Sequence, residues 1–111
     1  YQTQDLMAAF MADSGGEIAA LRCDGGLVSN GFMCQYLSDI LDKPVELPLI
    51  TETTALGAAY LAGLHAGLYK DLDDVSRKWQ LDKRYQADMP ADRRTEALAG
   101  WKKSIGQVLF T

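Results

Sequence analysis

Chemistry in this chain is concentrated in one stretch, Leu21-Arg22-Cys23-Asp24-Gly25-Gly26-Leu27-Val28-Ser29-Asn30. An apolar run there breaks into a double glycine and then meets residues able to start a helix. Glycines permit positive φ and let backbone approach a ligand with no Cβ in the way. In a parallel sheet, ligands gather outside the carboxyl ends of the strands, which is where such a break falls. The helix start that follows offers unpaired N–H groups and a positive dipole end, both suited to phosphate. Asn30 carries donors and an acceptor and could read an adenine edge. The same residues would also make an ordinary tight turn, and residue types alone leave that plainer reading standing.

Other candidates are weaker. Asp24 has no second carboxylate or base paired with it in sequence and suits a hydrogen-bonding turn position. His65 falls near a helix C-terminus, where a cation interacts well with the dipole. Trp79, Trp101 and the tyrosines suit packing better than stacking on a ligand. GxxxxGK[ST], GxSxG and HExxH are all absent. The expected catalytic set is therefore none, and the expected metal set is none.

Several elements must position that stretch. A first helix is expected from about Tyr1 to Asp13, with Leu6, Met7, Phe10 and Met11 as its apolar stripe, ending where Gly15 and Gly16 can take the positive φ of a cap. Ile18 to Cys23 reads as a strand. Ser29 or Asn30 caps a helix over about Asn30 to Leu41. Its apolar side holds Phe32, Met33, Tyr36, Leu37, Ile40 and Leu41, and its polar side Gln35, Ser38, Asp39 and Asp42. Val45-Glu46-Leu47 is a brief strand, with Pro48 at its end. Strand, crossover helix and strand make a parallel βαβ unit. Thr53 or Thr54 should cap a helix from Ala55 to about Leu64, whose small residues suit tight packing on the sheet or beside a cleft. Asp71 should cap a short helix and Asp92 a last one. Residues 80–92 read as irregular, with a short extended piece at Arg84-Tyr85-Gln86. The order fits an α/β protein.

Composition narrows the function. The chain has 111 residues, 48% hydrophobic and 23% charged, which excludes disorder and coiled coil and allows at most one domain. Eleven basic residues against 15 acidic give a net charge of −4, which argues against nucleic acid or an anionic membrane as partner. No apolar run is long enough to cross a bilayer. Two cysteines, Cys23 and Cys34, are too few for a disulfide scaffold and lack zinc spacing, so a reducing cytoplasm is the expected setting. Residue 1 is Tyr, and the helical pattern begins at once with no cap, so the chain is expected to be part of a larger protein.

Leu21 to Gly26, then Asn30, Phe32 and Gln35, then Ser38-Asp39-Ile40-Leu41, Thr54 to Gly63 and Ala99-Gly100-Trp101-Lys102-Lys103 together carry a resemblance. The chain resembles, over nearly its whole length, the C-terminal part of the glycerol kinases, a branch of the carbohydrate kinase family that also contains xylulokinase and ribulokinase. That resemblance implies an actin/hexokinase-type ATPase fold built from two ribonuclease H-like domains, of which residues 1–111 would be the last part of the second, nucleotide-side domain. It implies phosphoryl transfer from ATP, with Mg²⁺, to glycerol, giving glycerol 3-phosphate, in a cytoplasmic, homo-oligomeric parent enzyme. Gly26 matches the family glycine whose backbone approaches the ADP phosphates, Asn30 matches the asparagine at the adenine, and Gly25 forms the turn beside them. The proton-accepting base, the glycerol contacts and the Mg²⁺ surroundings fall outside the matching residues, so residues 1–111 alone would be inactive. Leu27 stands where relatives carry a smaller residue and Gly31 where a second asparagine is common. Residues 80–96 match poorly. The alternatives are another sugar kinase of the family, a non-kinase actin-like ATPase, or a standalone binding or assembly module.

Overall fold

Leu21, Val45 and Leu47 supply the apolar side chains around which the sheet condenses. In the computed structural model, which describes residues 1–110, β1 (Leu21–Arg22) lies parallel to β2 (Val45–Pro48), pairing Leu21 with Val45 and Arg22 with Glu46. The strand expected over Ile18 to Cys23 is thus only two residues long, because the residues that would pair with Ile18 to Ala20 form the turn out of α2 at Asp42 and Lys43. The expected parallel pair is present. A third strand, β3 (Leu81–Tyr85), runs antiparallel along the other side of β2, so the sheet order is β1-β2-β3 with β2 central. It contains Arg84 and Tyr85 of the expected extended piece, starts earlier, at Leu81, and so corrects the irregular reading of residues 81–83. Pro48 sits at the end of β2, where the register shifts and a missing N–H does least harm.

The helices are α1 (Gln2–Ser14), α2 (Gly31–Leu41), α3 (Thr53–His65), α4 (Leu72–Ser76) and α5 (Ala91–Leu109). Of the two glycines expected to end α1, only Gly15 takes the left-handed conformation, at φ 66°. Asp71 caps α4 as expected, its carboxylate accepting from the Asp74 N–H at 2.8 Å. Two expected caps are corrected. Thr53 and Thr54 lie inside α3, whose N-cap is Glu52 without a side-chain bond, and Asp92 lies inside α5, which starts after Pro90. The Thr53 hydroxyl is taken by Asp24 and so cannot serve its own helix.

The core sits between α2 and the sheet, where Cys34, Val45 and Leu47 are buried with Leu21, Cys23, Val28, Leu37 and Tyr85 packed against them. Each fully buried aliphatic there is worth about 1.5–3 kcal/mol relative to exposure. The face that α2 turns inward differs from the expected one. Ser38 is completely buried, while Phe32 is 79% exposed. The reason lies in the hydrogen bonds. Ser38 Oγ reaches the carbonyls of Lys43 at 2.7 Å and Tyr85 at 3.2 Å, satisfying the turn after α2 and the end of β3 together.

Polar ties hold the remaining elements. Across the sheet, Glu46 lies between Arg22 at 3.5 Å and Arg84 at 3.6 Å, one residue from each strand, and the Arg22 guanidinium stands 3.8 Å over the Trp79 ring. Arg94 ties α5 to α2, donating to the Asp39 carbonyl at 2.5 Å and the Met89 carbonyl at 3.0 Å and pairing with Asp42 at 3.3 Å. Tyr1 stacks on Trp101, whose indole N–H donates to Asp5 at 2.8 Å, so α1 leans on α5.

Large apolar surfaces stay open. Met7 is the buried residue of α1, and Leu6 and Phe10 face solvent. Gly63 is the buried residue of α3, while Ala58, Ala59 and Ala62 are exposed, so the expected packing of that helix on the sheet is not seen. Gly63 instead receives the Tyr69 ring, which a Cβ would meet at 2.5 Å. The radius of gyration is 17.5 Å, against about 13 Å for a compact domain of this length.

Candidate functional site

The chain leaves β1 through Cys23 and Asp24 and turns at Gly25, whose φ of 91° and ψ of −176° suit only glycine. A four-residue 3-10 turn, Gly26–Ser29, follows, and Asn30 then caps α2. Sequence reasoning missed this turn. It fills the residues between Gly25 and the helix start expected at Ser29 or Asn30.

Gly25 and Gly26 line an open groove of about 380 Å³ at the carboxyl ends of β1 and β2. Val28 and Ser29 of the same turn, Leu47, Pro48 and Thr51, and Asp82 and Lys83 of β3 complete its lining. A Cβ placed on Gly26 would meet no atom within 4 Å. The groove is therefore open directly above that residue. Nothing in the sequence signalled Asp82 and Lys83, because they reach the groove only through the pairing of β3 with β2.

Asn30 lies on the other side of the 3-10 turn. Its Oδ1 accepts the Met33 N–H at 3.2 Å, which fixes the amide orientation and leaves the NH₂ group turned away from the cap. It lines a second groove of about 370 Å³, with Tyr1, Phe32, Met33 and Tyr36. The residues expected to form one site thus border two neighbouring grooves with the turn as the ridge between them. Gly31, the first residue of α2 after Asn30, has room for a Cβ only at 3.4 Å from the Tyr85 hydroxyl.

Two neighbours tune this region. Asp24 accepts the Thr53 hydroxyl, which joins the turn to α3 and agrees with the reading of Asp24 as a hydrogen-bonding turn residue. Burial pushes the Cys23 thiol above its ordinary value, and Cys34 and Asp24 beside it add to the effect. Both cysteines are free. Cys23 should therefore alkylate with iodoacetamide at pH 7.5 several-fold more slowly than free cysteine, and accelerate as pH rises toward 10. Mass spectrometry of the time course checks this, and a rate matching free cysteine would contradict it. His65 is exposed in the last turn of α3. Among the described residues no group of three His, Cys, Asp or Glu side chains could hold a metal ion, and no helix is long and apolar enough to cross a membrane.

Comparison with known proteins bears on these grooves. The FGGY family of carbohydrate kinases, C-terminal domain, matches residues 1–66. Glycerol kinases of Bacillus thuringiensis (strain Al Hakam) and Bacillus cereus (strain AH187) are each 54% identical over 105 residues, which is 95% of this chain. The chain spans about a fifth of their length, 21%. Among solved structures, Plasmodium falciparum glycerol kinase with ADP superposes with a TM-score of 0.84 at 32% identity, covering 96% of this chain and 21% of that one. Xylulose kinase from Lactobacillus acidophilus superposes at 0.68 with 20% identity over 84% of this chain and 18% of its own, a likeness of fold alone. The α/β architecture and the sequence agree, and the chain belongs to the FGGY family of carbohydrate kinases, matching its C-terminal domain.

Proposed function

We propose that residues 1–111 are the C-terminal portion of the nucleotide-side domain of a glycerol kinase, forming one wall of the ATP/ADP site. The observation that carries this is the 54% identity to glycerol kinases across 95% of the chain, set against the 20% shared with xylulose kinase. The groove at Gly25 and Gly26 gives the reading its chemistry. Phosphoryl transfer asks the protein mainly to position groups and stabilise charge. Backbone at Gly26 approaches the phosphates, Gly25 sets the turn that presents it, and the free amide NH₂ of Asn30 donates to an acceptor on the adenine edge. The 3-10 turn between them would lie along the sugar. Closure against a second domain would then bring glycerol in line and exclude water.

Mg²⁺ does not fit this chain's own residues, since no acidic cluster is present among those described and the Asp24 carboxylate is engaged by Thr53. The groove's one carboxylate, Asp82, has no second acid or base beside it in the lining, so residues 1–111 alone should be inactive. The parent is read as a cytoplasmic, homo-oligomeric enzyme.

The test is a coupled ADP-release assay on the full-length protein with glycerol and with xylulose as acceptors. Turnover of glycerol is expected, and activity on xylulose without glycerol would end the assignment. Asn30→Ala in the same protein should raise KM for ATP about ten-fold while KM for glycerol stays put, the loss of one buried hydrogen bond plus a helix cap. Equal shifts in both constants would remove Asn30 from the adenine.

A further inference from the structure

Asp24 stands immediately before the glycine pair, and its Oδ2 accepts the hydroxyl of Thr53 from the first turn of α3. Among the described residues, this is the one side-chain bond that reaches Asp24, Gly25 or Gly26 from a distant part of the chain, 29 residues away in sequence. The turn needs such a tether. Gly25 sits at φ 91°, in a region where glycine has wide freedom, and the space where a Cβ would stand on Gly25 or Gly26 is open to 4 Å. Backbone hydrogen bonds anchor the chain up to Cys23, whose N–H donates to the Glu46 carbonyl at 3.0 Å, and again from Val28 onward. Between those anchors the bonds are local, the Gly25 carbonyl accepting the Val28 N–H at 3.4 Å and the Gly26 carbonyl the Ser29 hydroxyl at 2.9 Å, so the tie from the turn to a distant element is the carboxylate. The other end of the tether is well placed, because Thr51, two residues before Thr53, already lines the groove beneath the glycines.

We propose that Thr53 and Asp24 form a positioning pair, a hydroxyl–carboxylate tether between α3 and the glycine turn that sets nucleotide affinity without touching the nucleotide. A hydrogen bond to a charged acceptor is strong enough to select one turn position among several, and small displacements of a positioning group cost large factors in function. The same tether couples α3 to the groove, so a movement of that helix is transmitted to the glycines through one side-chain contact. This inference rests on the nucleotide reading of the groove.

The experiment compares Thr53→Ala, Thr53→Ser, Asp24→Ala and the double variant Thr53→Ala/Asp24→Ala in the full-length protein, by equilibrium dialysis with ADP and by steady-state kinetics. Alanine favours helix more than threonine does, so Thr53→Ala leaves α3 formed. Thr53→Ala should weaken ADP binding and raise KM for ATP about ten-fold, with KM for glycerol unchanged. Thr53→Ser, which keeps the hydroxyl, should return both nucleotide constants to within about two-fold. The double variant should lose no more than the worse single one, because the two residues act through one bond. Unaltered ADP affinity in Thr53→Ala, a serine variant as weak as the alanine one, or losses that add in the double variant would each overturn the pair. Gly26→Val separates this from a failure of the site itself. If that variant loses ADP while Thr53→Ala does not, only the tether falls; if it too binds ADP normally, the nucleotide reading falls and takes the tether with it.

Discussion

Gly26→Val is expected to weaken ADP binding by about two orders of magnitude while leaving the thermal melt of the protein within a few degrees of the parent. The two halves of this expectation come from different facts. Nothing in the chain lies within 4 Å of a Cβ at this position, and its φ is not in the left-handed region, so the fold tolerates a side chain there. The groove does not. Valine places three carbons in the space directly over the backbone that faces it, and forcing that much volume against a fitted ligand costs about 3 kcal/mol, or roughly a hundred-fold in affinity. Calorimetric titration of the full-length protein with ADP, beside a melting curve, measures both. Undiminished ADP affinity would move the nucleotide away from Gly26. At Gly25 the same change would be uninformative, because its φ of 91° makes any side chain disruptive to the turn itself.

Ser38→Ala should destabilise the protein by about 2 kcal/mol, read as a lower urea midpoint at unchanged slope. The sign is the decisive part. On an open helix face, serine to alanine improves helix propensity and raises stability by about half a kcal/mol. Ser38 is instead fully buried and reaches two carbonyls, Lys43 at 2.7 Å and Tyr85 at 3.2 Å. Removing its hydroxyl leaves buried acceptors without a donor at the junction of α2, the turn into β2 and the end of β3. A raised midpoint would show that this junction is solvated.

What could be read from the sequence was mostly local. Gly15 ending α1, Asn30 capping α2, Asp71 capping α4 and Pro48 closing β2 each follow from what a side chain does to its own backbone, and each is found in the structure. The parallel β1–β2 pair followed from length and apolarity. Misreadings arose where a distant residue took over a group that local rules had assigned. Thr53 gives its hydroxyl to Asp24 rather than to α3, and Ser38 turns inward because two carbonyls wait there. β3 was read only at its end, in the extended piece expected at Arg84-Tyr85-Gln86, because Leu81-Asp82-Lys83 has no alternation to betray a strand. Pairing with β2 and the ion pair from Arg84 to Glu46 make it one. The stripe on α1 and the small residues of α3 were visible as patterns, yet periodicity cannot say what covers a face, and Leu6 and Phe10 stay largely exposed. At the site, the residue types at 25, 26 and 30 were legible, but not the ridge that the 3-10 turn raises between them.

The charged row Asp82, Lys83 and Arg84 gives the sheet a direction. A newcomer strand approaching that rim would have to bring its backbone past three ionised side chains, a standard deterrent to unwanted pairing. At the opposite rim, β1 presents Leu21 and a single arginine, with nothing comparable to turn a neighbour away. Any enlargement of this sheet, whether by more of the same polypeptide or by misassembly, should therefore proceed from the β1 side, which makes that short border the place where shielding matters for solubility.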